Sequence, residues 1–153
     1  MPKLEQLNIG PSDQKWLLST LAKIHFFGGM TTGQLEKVIP SFGLFRCGRG
    51  HTLFKEGDGG DALFVVYEGE IVIRKKAFLF FSREIACLGP GQIFGEMALW
   101  EKAPRLASAV AGKESKIFTL LSQDFEYLLN KNPEFGDVIS RISAQRKFGL
   151  AHQ

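Results

Sequence analysis

The residues best able to do chemistry lie between Phe94 and Ala111, in the stretch FGEMALWEKAPRLASAVA. Gly95 and Glu96 open a short apolar turn, Met97-Ala98-Leu99-Trp100. A polar bend, Glu101-Lys102-Ala103-Pro104, then delivers one arginine, Arg105, ahead of the small-residue run Ala107-Ser108-Ala109. This order suits a single phosphate. Glycine lets the backbone approach a ligand with no Cβ in the way, and a helical turn starting just after it leaves its first amides unpaired. Such amides favour an anion. Arg105 adds a planar, permanently charged fork that bonds phosphate oxygens in pairs. Glu96 would repel the phosphate, but it can accept hydrogen bonds from sugar hydroxyls, as acidic residues do at dinucleotide sites. Taken singly, Arg105 reads as a solvated surface charge and Glu96 as a helix N-terminal charge. In this order, with these flanks, they read together as a site.

Phe94-Gly95-Glu96-Met97-Ala98-Leu99, followed by Pro104-Arg105-Leu106-Ala107-Ser108 with no insertion or deletion between, closely resembles the phosphate-binding cassette of the cyclic nucleotide-binding domain family. That family includes regulatory subunits of cyclic AMP-dependent protein kinase, cyclic-nucleotide-gated channels and the catabolite activator protein. The resemblance implies that Arg105 pairs with the exocyclic oxygens of the cyclic phosphate and that Glu96 takes the ribose 2′-hydroxyl. Backbone amides at Gly95, Ala98 and Leu106 would complete the anion site. The implied ligand-binding set is Gly95, Glu96, Met97, Ala98, Arg105, Leu106, Ala107 and Ser108. Where relatives favouring cyclic GMP often carry threonine after the arginine, this chain has Leu106, which tilts the expectation to cyclic AMP over cyclic GMP.

The elements that must position these residues follow from length and periodicity. The 153 residues, 44% of them hydrophobic, fit one domain with a sizeable core. The formal net charge of +3 is mild and no long block of lysines and arginines stands out, so nucleic acid is not an expected partner. Met1-Pro2-Lys3-Leu4-Glu5 lacks an apolar signal core, and there is no long uncharged apolar span. A cytoplasmic protein without an integral membrane segment is expected. Cys47 and Cys87 sit in apolar contexts without CxxC spacing, which predicts two buried, reduced thiols.

Residues 1–41 read as an N-terminal helical segment. Ser12 is the expected N-cap of a first helix carrying Trp16, Leu17, Leu18, Leu21 and Ile24, with Gly28-Gly29 as its stop. Thr31 or Thr32 should cap a second helix with Leu35, Val38 and Ile39 on its apolar face and Pro40 at its end. His25, beside Phe26 and Phe27, is taken as a packing residue.

From 42 to 121 the period becomes that of strands. Runs are predicted at Leu44–Cys47, Thr52–Phe54, Ala62–Tyr67, Glu70–Arg74, Arg83–Leu88 and Ser115–Leu120, separated by glycine-rich turns. The fold class is therefore α+β, mainly β: an antiparallel jelly-roll β-barrel, or double-stranded β-helix, carrying the cassette at 94–111. The turn Glu56–Asp61 lacks the alternating acidic ligands and closing glutamate of a calcium loop, and it matches a turn of the same family. Residues 122–153 should form two C-terminal helices, the first capped by Ser122 and the second, after Pro133, carrying Phe135, Val138, Ile139 and Ile142. The resemblance makes the last helix a lid over the nucleotide, with Arg141, Arg146 and Phe148 as candidate contacts. An ordinary solvated or packing face accounts for those three equally.

Lys75-Lys76-Ala77-Phe78-Leu79-Phe80-Phe81-Ser82 departs from the polar hairpin tip common in the family. Either the strands are longer and Phe78 and Phe80 face inward, or the segment is a contact surface. Inward packing or a homodimer through Phe78–Phe81 is favoured over an acidic membrane; the terminal helices are a second possible dimer contact. A metal-dependent cupin-like barrel would need clustered ligands, and His25, His51 and His152 are scattered. A DNA-binding transcription factor would need a helix-turn-helix after the long helix, where the sequence stops at Gln153. The expectation is a stand-alone, non-catalytic cyclic nucleotide receptor module that needs no cofactor or metal. It would pass its signal by C-terminal helix movement to an effector protein. The alternative is an interaction module of the same fold that does not use a nucleotide.

Overall fold

The computed structural model describes residues 4–24, 27, 29–79, 81–95 and 104–136. The chain divides into two compact units, one made of Met1–Ile9 and Phe42–Ser122, the other of Gly10–Ser41 and Gln123–Gln153.

The first unit is a two-sheet antiparallel jelly roll. Its strands are β1 (Leu4–Leu7), β2 (Gly43–Cys47), β3 (Thr52–Phe54), β4 (Ala62–Glu68), β5 (Ile71–Lys76), β6 (Ser82–Leu88), β7 (Ile93–Phe94), β8 (Ser108–Ala111) and β9 (Ser115–Leu121). One sheet has the order β1-β2-β9-β4-β7 and the other β3-β8-β5-β6, so neither closes on itself. The six predicted runs all become strands, with ends shifted by a residue or two. Three strands were not expected. Leu4–Leu7 lies inside the segment read as helical, pairing with β2 from Leu4 opposite Cys47 to Leu7 opposite Leu44. Ile93–Phe94 and Ser108–Ala111 flank the cassette.

Period-2 alternation explains how the interior fills. Ala62, Phe64 and Val66 of β4 point the same way as Cys47, Ile117 and Phe94 of their sheet, and meet Ile71, Ala109 and Ala111 of the other. The alternate residues Leu44, Leu63, Val65, Phe118 and Leu120 are also buried, so the middle strands of the five-stranded sheet carry apolar residues on both faces. This is why β4 reads as the continuous run Ala62–Val66 rather than as alternation.

One turn depends on glycine. Gly69, between β4 and β5, has φ +98°, and a Cβ there would lie 2.7 Å from the Cα of Ser115. Ser115 Oγ fills that space, accepting from the Glu70 amide at 3.0 Å and donating to the Lys113 carbonyl at 2.8 Å.

In the second unit, α1 spans Pro11–Lys23, α2 spans Thr32–Val38 with a 3₁₀ turn at Ile39–Ser41, and α3 spans Ser122–Lys131. Ser12 is not the N-cap of α1. Gly10 holds that position because Pro11, with its preset φ and no N–H to satisfy, begins the helix, and Asp13 Oδ2 accepts the Gly10 amide at 2.8 Å. Thr31 caps α2 as expected. Its hydroxyl accepts from Gln34 N–H at 3.1 Å, and Gln34 Oε1 accepts from Thr31 N–H at 2.9 Å. Thr31→Ala should therefore cost about 1 kcal/mol. In thermal unfolding that is a Tm lowered by about 2–4 °C. Phe135 is buried as expected, while the last predicted helix beyond Gly136, with Val138, Ile139 and Ile142, lies outside the described residues.

The thiols differ from each other. Cys47 is buried and free; burial pushes its pKa up. Cys87 is free but exposed, correcting the expectation of two buried thiols. β6 is the edge strand of its sheet, and with Leu88 packed against the core the adjacent Cys87 points away, donating to Glu70 Oε1 at 2.7 Å. The inward reading of Phe78 is corrected too: Phe78 and Phe81 stand outside, and Phe80 lies outside the described residues.

Candidate functional site

Arg105 is one of three buried polar or charged residues among those described, only 8% exposed. Its backbone is clamped by the Glu56–Asp61 turn. Gly57 N–H donates to the Arg105 carbonyl at 2.8 Å, and Arg105 N–H donates to the Asp58 carbonyl at 2.7 Å. Gly59 bridges to Pro104 beside it. The turn is itself pinned, with Lys55 N–H donating to Asp58 Oδ2 at 2.9 Å and Glu56 N–H donating to Ser108 Oγ at 2.8 Å. The turn's structural task is thus to hold the chain on both sides of the arginine. Among the described residues no His, Cys, Asp and Glu side chains group into a metal site.

The guanidinium has equally definite partners. Nη2 donates to the Ala62 carbonyl at 2.8 Å and Nη1 to the Gly95 carbonyl at 3.3 Å. Its plane sits over Phe54, 4.2 Å from the ring centroid, with Phe64 at 5.8 Å. Phe64 stacks on Phe94 at 5.0 Å, so three rings from β3, β4 and β7 form an aromatic floor under the cation. Nε is buried and finds no hydrogen-bond partner among the described residues. Desolvation pushes the Arg105 pKa down from its ordinary range, with Asp61 and Asp58 acting in the opposite sense. Arginine nonetheless stays charged at any working pH. A fixed cation, partly dry and bonded to neutral carbonyls, is a strong attractor for an anion.

Gly95 follows β7 with φ +75°. A Cβ there would fall 2.7 Å from Arg105 Nη1 and 3.1 Å from the Ala62 carbonyl oxygen. Only glycine fits between the strand and the guanidinium.

The other expected site residues divide. Leu106 is 80% exposed and Ala107 half-buried. Ser108 opens β8, its hydroxyl already engaged by the Glu56 amide. Glu96, Met97, Ala98, Arg141, Arg146 and Phe148 lie outside the described residues. Sequence reasoning missed Phe54 and the carbonyl of Ala62. Phe54 carried no signal beyond a strand end, and the Ala62 contact is with backbone, which no residue type announces.

The family pattern described as the cyclic nucleotide-binding domain matches residues 44–132, more than half of the chain, with Arg105 and Gly95 inside the match. The chain belongs to that family. The Thermus thermophilus cyclic AMP receptor protein is 29% identical over 120 residues, covering 78% of this chain and 56% of its own length. A cyclic nucleotide-binding domain from Methylobacillus flagellatus KT superposes with a TM-score of 0.80 at 26% identity, over 99% of this chain and 85% of that one. The N-terminal domain of a transcriptional regulator from Streptomyces coelicolor A3(2) gives a TM-score of 0.78 at 31% identity, over 88% of this chain and 95% of that one. As a member of this family the chain spans a little over half the length of the first curated relatives it matches, at 56%. Among the described residues no helix is long and apolar enough to cross a membrane.

Proposed function

We infer that this cyclic nucleotide-binding domain takes cyclic AMP, with the monoanionic cyclic phosphate against Arg105. The observation that carries the reading is the guanidinium itself: a buried cation held by the Ala62 and Gly95 carbonyls, with Nε unpartnered among the described residues. A phosphate replaces water around it with charge-assisted bonds at a site whose geometry is already held. Glu96 takes the ribose 2′-hydroxyl in this proposal, and the backbone at Gly95, Met97, Ala98, Leu106 and Ala107 lines the phosphate. Leu106 offers no hydroxyl to a guanine amino group, which favours cyclic AMP over cyclic GMP. The module is non-catalytic. Binding biases the C-terminal helices, with Arg141, Arg146 and Phe148 as contacts over the base, and an effector protein reads their position. The bias is limited to the difference in nucleotide affinity between the two helix positions.

Calorimetric titration with cyclic AMP and with cyclic GMP tests the ligand. Saturable binding, tighter for cyclic AMP, is expected, and no heat from either nucleotide would end the proposal in favour of a nucleotide-free interaction module. Stability gives a second readout, since ligand at about 100 times Kd should add about 2.7 kcal/mol. Gly95→Ala should weaken cyclic AMP binding about tenfold, or about 1.4 kcal/mol, by displacing the guanidinium. Unchanged affinity in the folded variant would mean that the Gly95 backbone does not set the position of Arg105.

A further inference from the structure

The β5–β6 hairpin ends in an apolar tip raised on a basic neck. Phe78 is 76% exposed, Leu79 69% and Phe81 72%. The tip is built rather than loose. Ala77 N–H donates to the Phe81 carbonyl at 2.8 Å and Phe81 N–H to the Phe78 carbonyl at 3.2 Å. Leu79 has φ +57°, a left-handed conformation that costs a non-glycine residue energy and is kept only where surroundings enforce it.

The neck is oddly charged. Residues 74–84 contain Arg74, Lys75, Lys76 and Arg83 against the single carboxylate of Glu84. Those four cations less one anion give +3, equal to the formal net charge of the entire chain. Arg74 is opposite Glu84 and bonds Ser82, through Nε to the hydroxyl and Nη2 to the carbonyl, both at 3.1 Å. Lys75 stands directly opposite Arg83 in the register, and all three of Lys75, Lys76 and Arg83 are exposed. The nearby Glu56 carboxylate accepts the Lys76 backbone amide, at 3.4 Å. Like charges directly across a strand pair are destabilising unless something anionic answers them.

We propose that this hairpin is a peripheral docking element for an anionic lipid bilayer. Phe78, Leu79 and Phe81 enter the acyl boundary while Lys75, Lys76 and Arg83 meet the headgroups. Two to three residues separate Lys76 from the apex, about 7–10 Å at roughly 3.3 Å per residue. That matches the ~5–10 Å to which interfacial apolar groups penetrate. A bilayer supplies an apolar layer beneath an anionic one in the order the hairpin presents. A second copy of the chain does not: an isologous contact between tips would bring two sets of these cations together. Nucleic acid answers the cations but offers Leu79 no apolar phase.

Sedimentation with vesicles of equal parts phosphatidylcholine and phosphatidylserine tests this. The wild-type chain should pellet with them, weakly in high salt and hardly at all with phosphatidylcholine alone. Neutralising Lys75, Lys76 and Arg83 to Gln should lower partitioning about fivefold per cation, roughly a hundredfold together. Phe78→Ser with Phe81→Ser should lower it at least about tenfold. Both variants change exposed side chains, so the wild-type Tm and cyclic AMP titration should persist. The proposal is overturned if the wild type ignores the mixed vesicles, or if either variant pellets like the wild type. Equal pelleting with neutral vesicles overturns it, as does an oligonucleotide that displaces the vesicles. A dimer in light scattering that dissolves in the phenylalanine variant also overturns it, assigning the tip to self-contact.

Discussion

Arg105→Ala should lower the affinity for cyclic AMP by about 2–5 kcal/mol, the cost of truncating one partner of a desolvated charge pair. At 1.4 kcal/mol per tenfold this is roughly thirty- to several-thousandfold, a range calorimetry reads directly. The fold should survive. The variant loses bonds to the Ala62 and Gly95 carbonyls and the contact with Phe54, but it also removes a buried cation from a mostly apolar floor. These opposing effects leave a net change of about 1 kcal/mol or less. Arg105→Lys separates charge from geometry: it keeps the cation but loses the fork, so its affinity should fall between the two. Wild-type affinity in Arg105→Ala would remove this residue from the phosphate site altogether.

The second large effect falls on stability. Phe118 is wholly buried in β9, the middle strand of its sheet, with Leu44 on one neighbour and Val65 on the other directly opposite it. Its ring meets Phe42 edge-on at 6.4 Å and Tyr67 at 5.0 Å. Phe118→Ala deletes a ring from a place where two flanking strands prevent collapse, so it should cost about 3–5 kcal/mol. Against a typical total of about 5–15 kcal/mol, that is a large share. Urea denaturation should show a midpoint far below wild type with an unchanged m-value. Phe118→Leu retains most of the volume and should cost about 1.5 kcal/mol or less. A midpoint for Phe118→Ala within error of wild type would mean that this face of the sheet is not a packed core.

Most strands were legible because burial on a pleated surface imprints period 2, or a continuous apolar run, on the sequence. Glycines mark where the chain turns. The three missed strands lack that imprint. Leu4-Glu5-Gln6-Leu7 is largely exposed and pairs only at the sheet edge; Ile93–Phe94 is too short to show a period; Ser108–Ala111 is a run of small residues that fits several conformations. The helix start was misplaced because Ser12 is the better side-chain cap, whereas the Pro11 backbone decided the boundary. Cys87 was misread because its neighbours are apolar. Its strand lies at an edge, and edge position is a property of topology.

At the candidate site, the sequence alone singled out Arg105 and Gly95, because each has a capacity no other side chain shares: permanent planar charge in one, freedom from a Cβ in the other. What the arginine leans on was invisible. Its strongest acceptor is a backbone carbonyl 43 residues away in the chain, and its floor is a phenylalanine on a separate strand. Residue chemistry is local and can be read letter by letter. Desolvation, hydrogen-bond partnership and the choice of exposed face arise only when distant segments meet, so the tertiary structure alone decided that Arg105 is buried, that Phe78 is exposed, and that Lys75 faces Arg83.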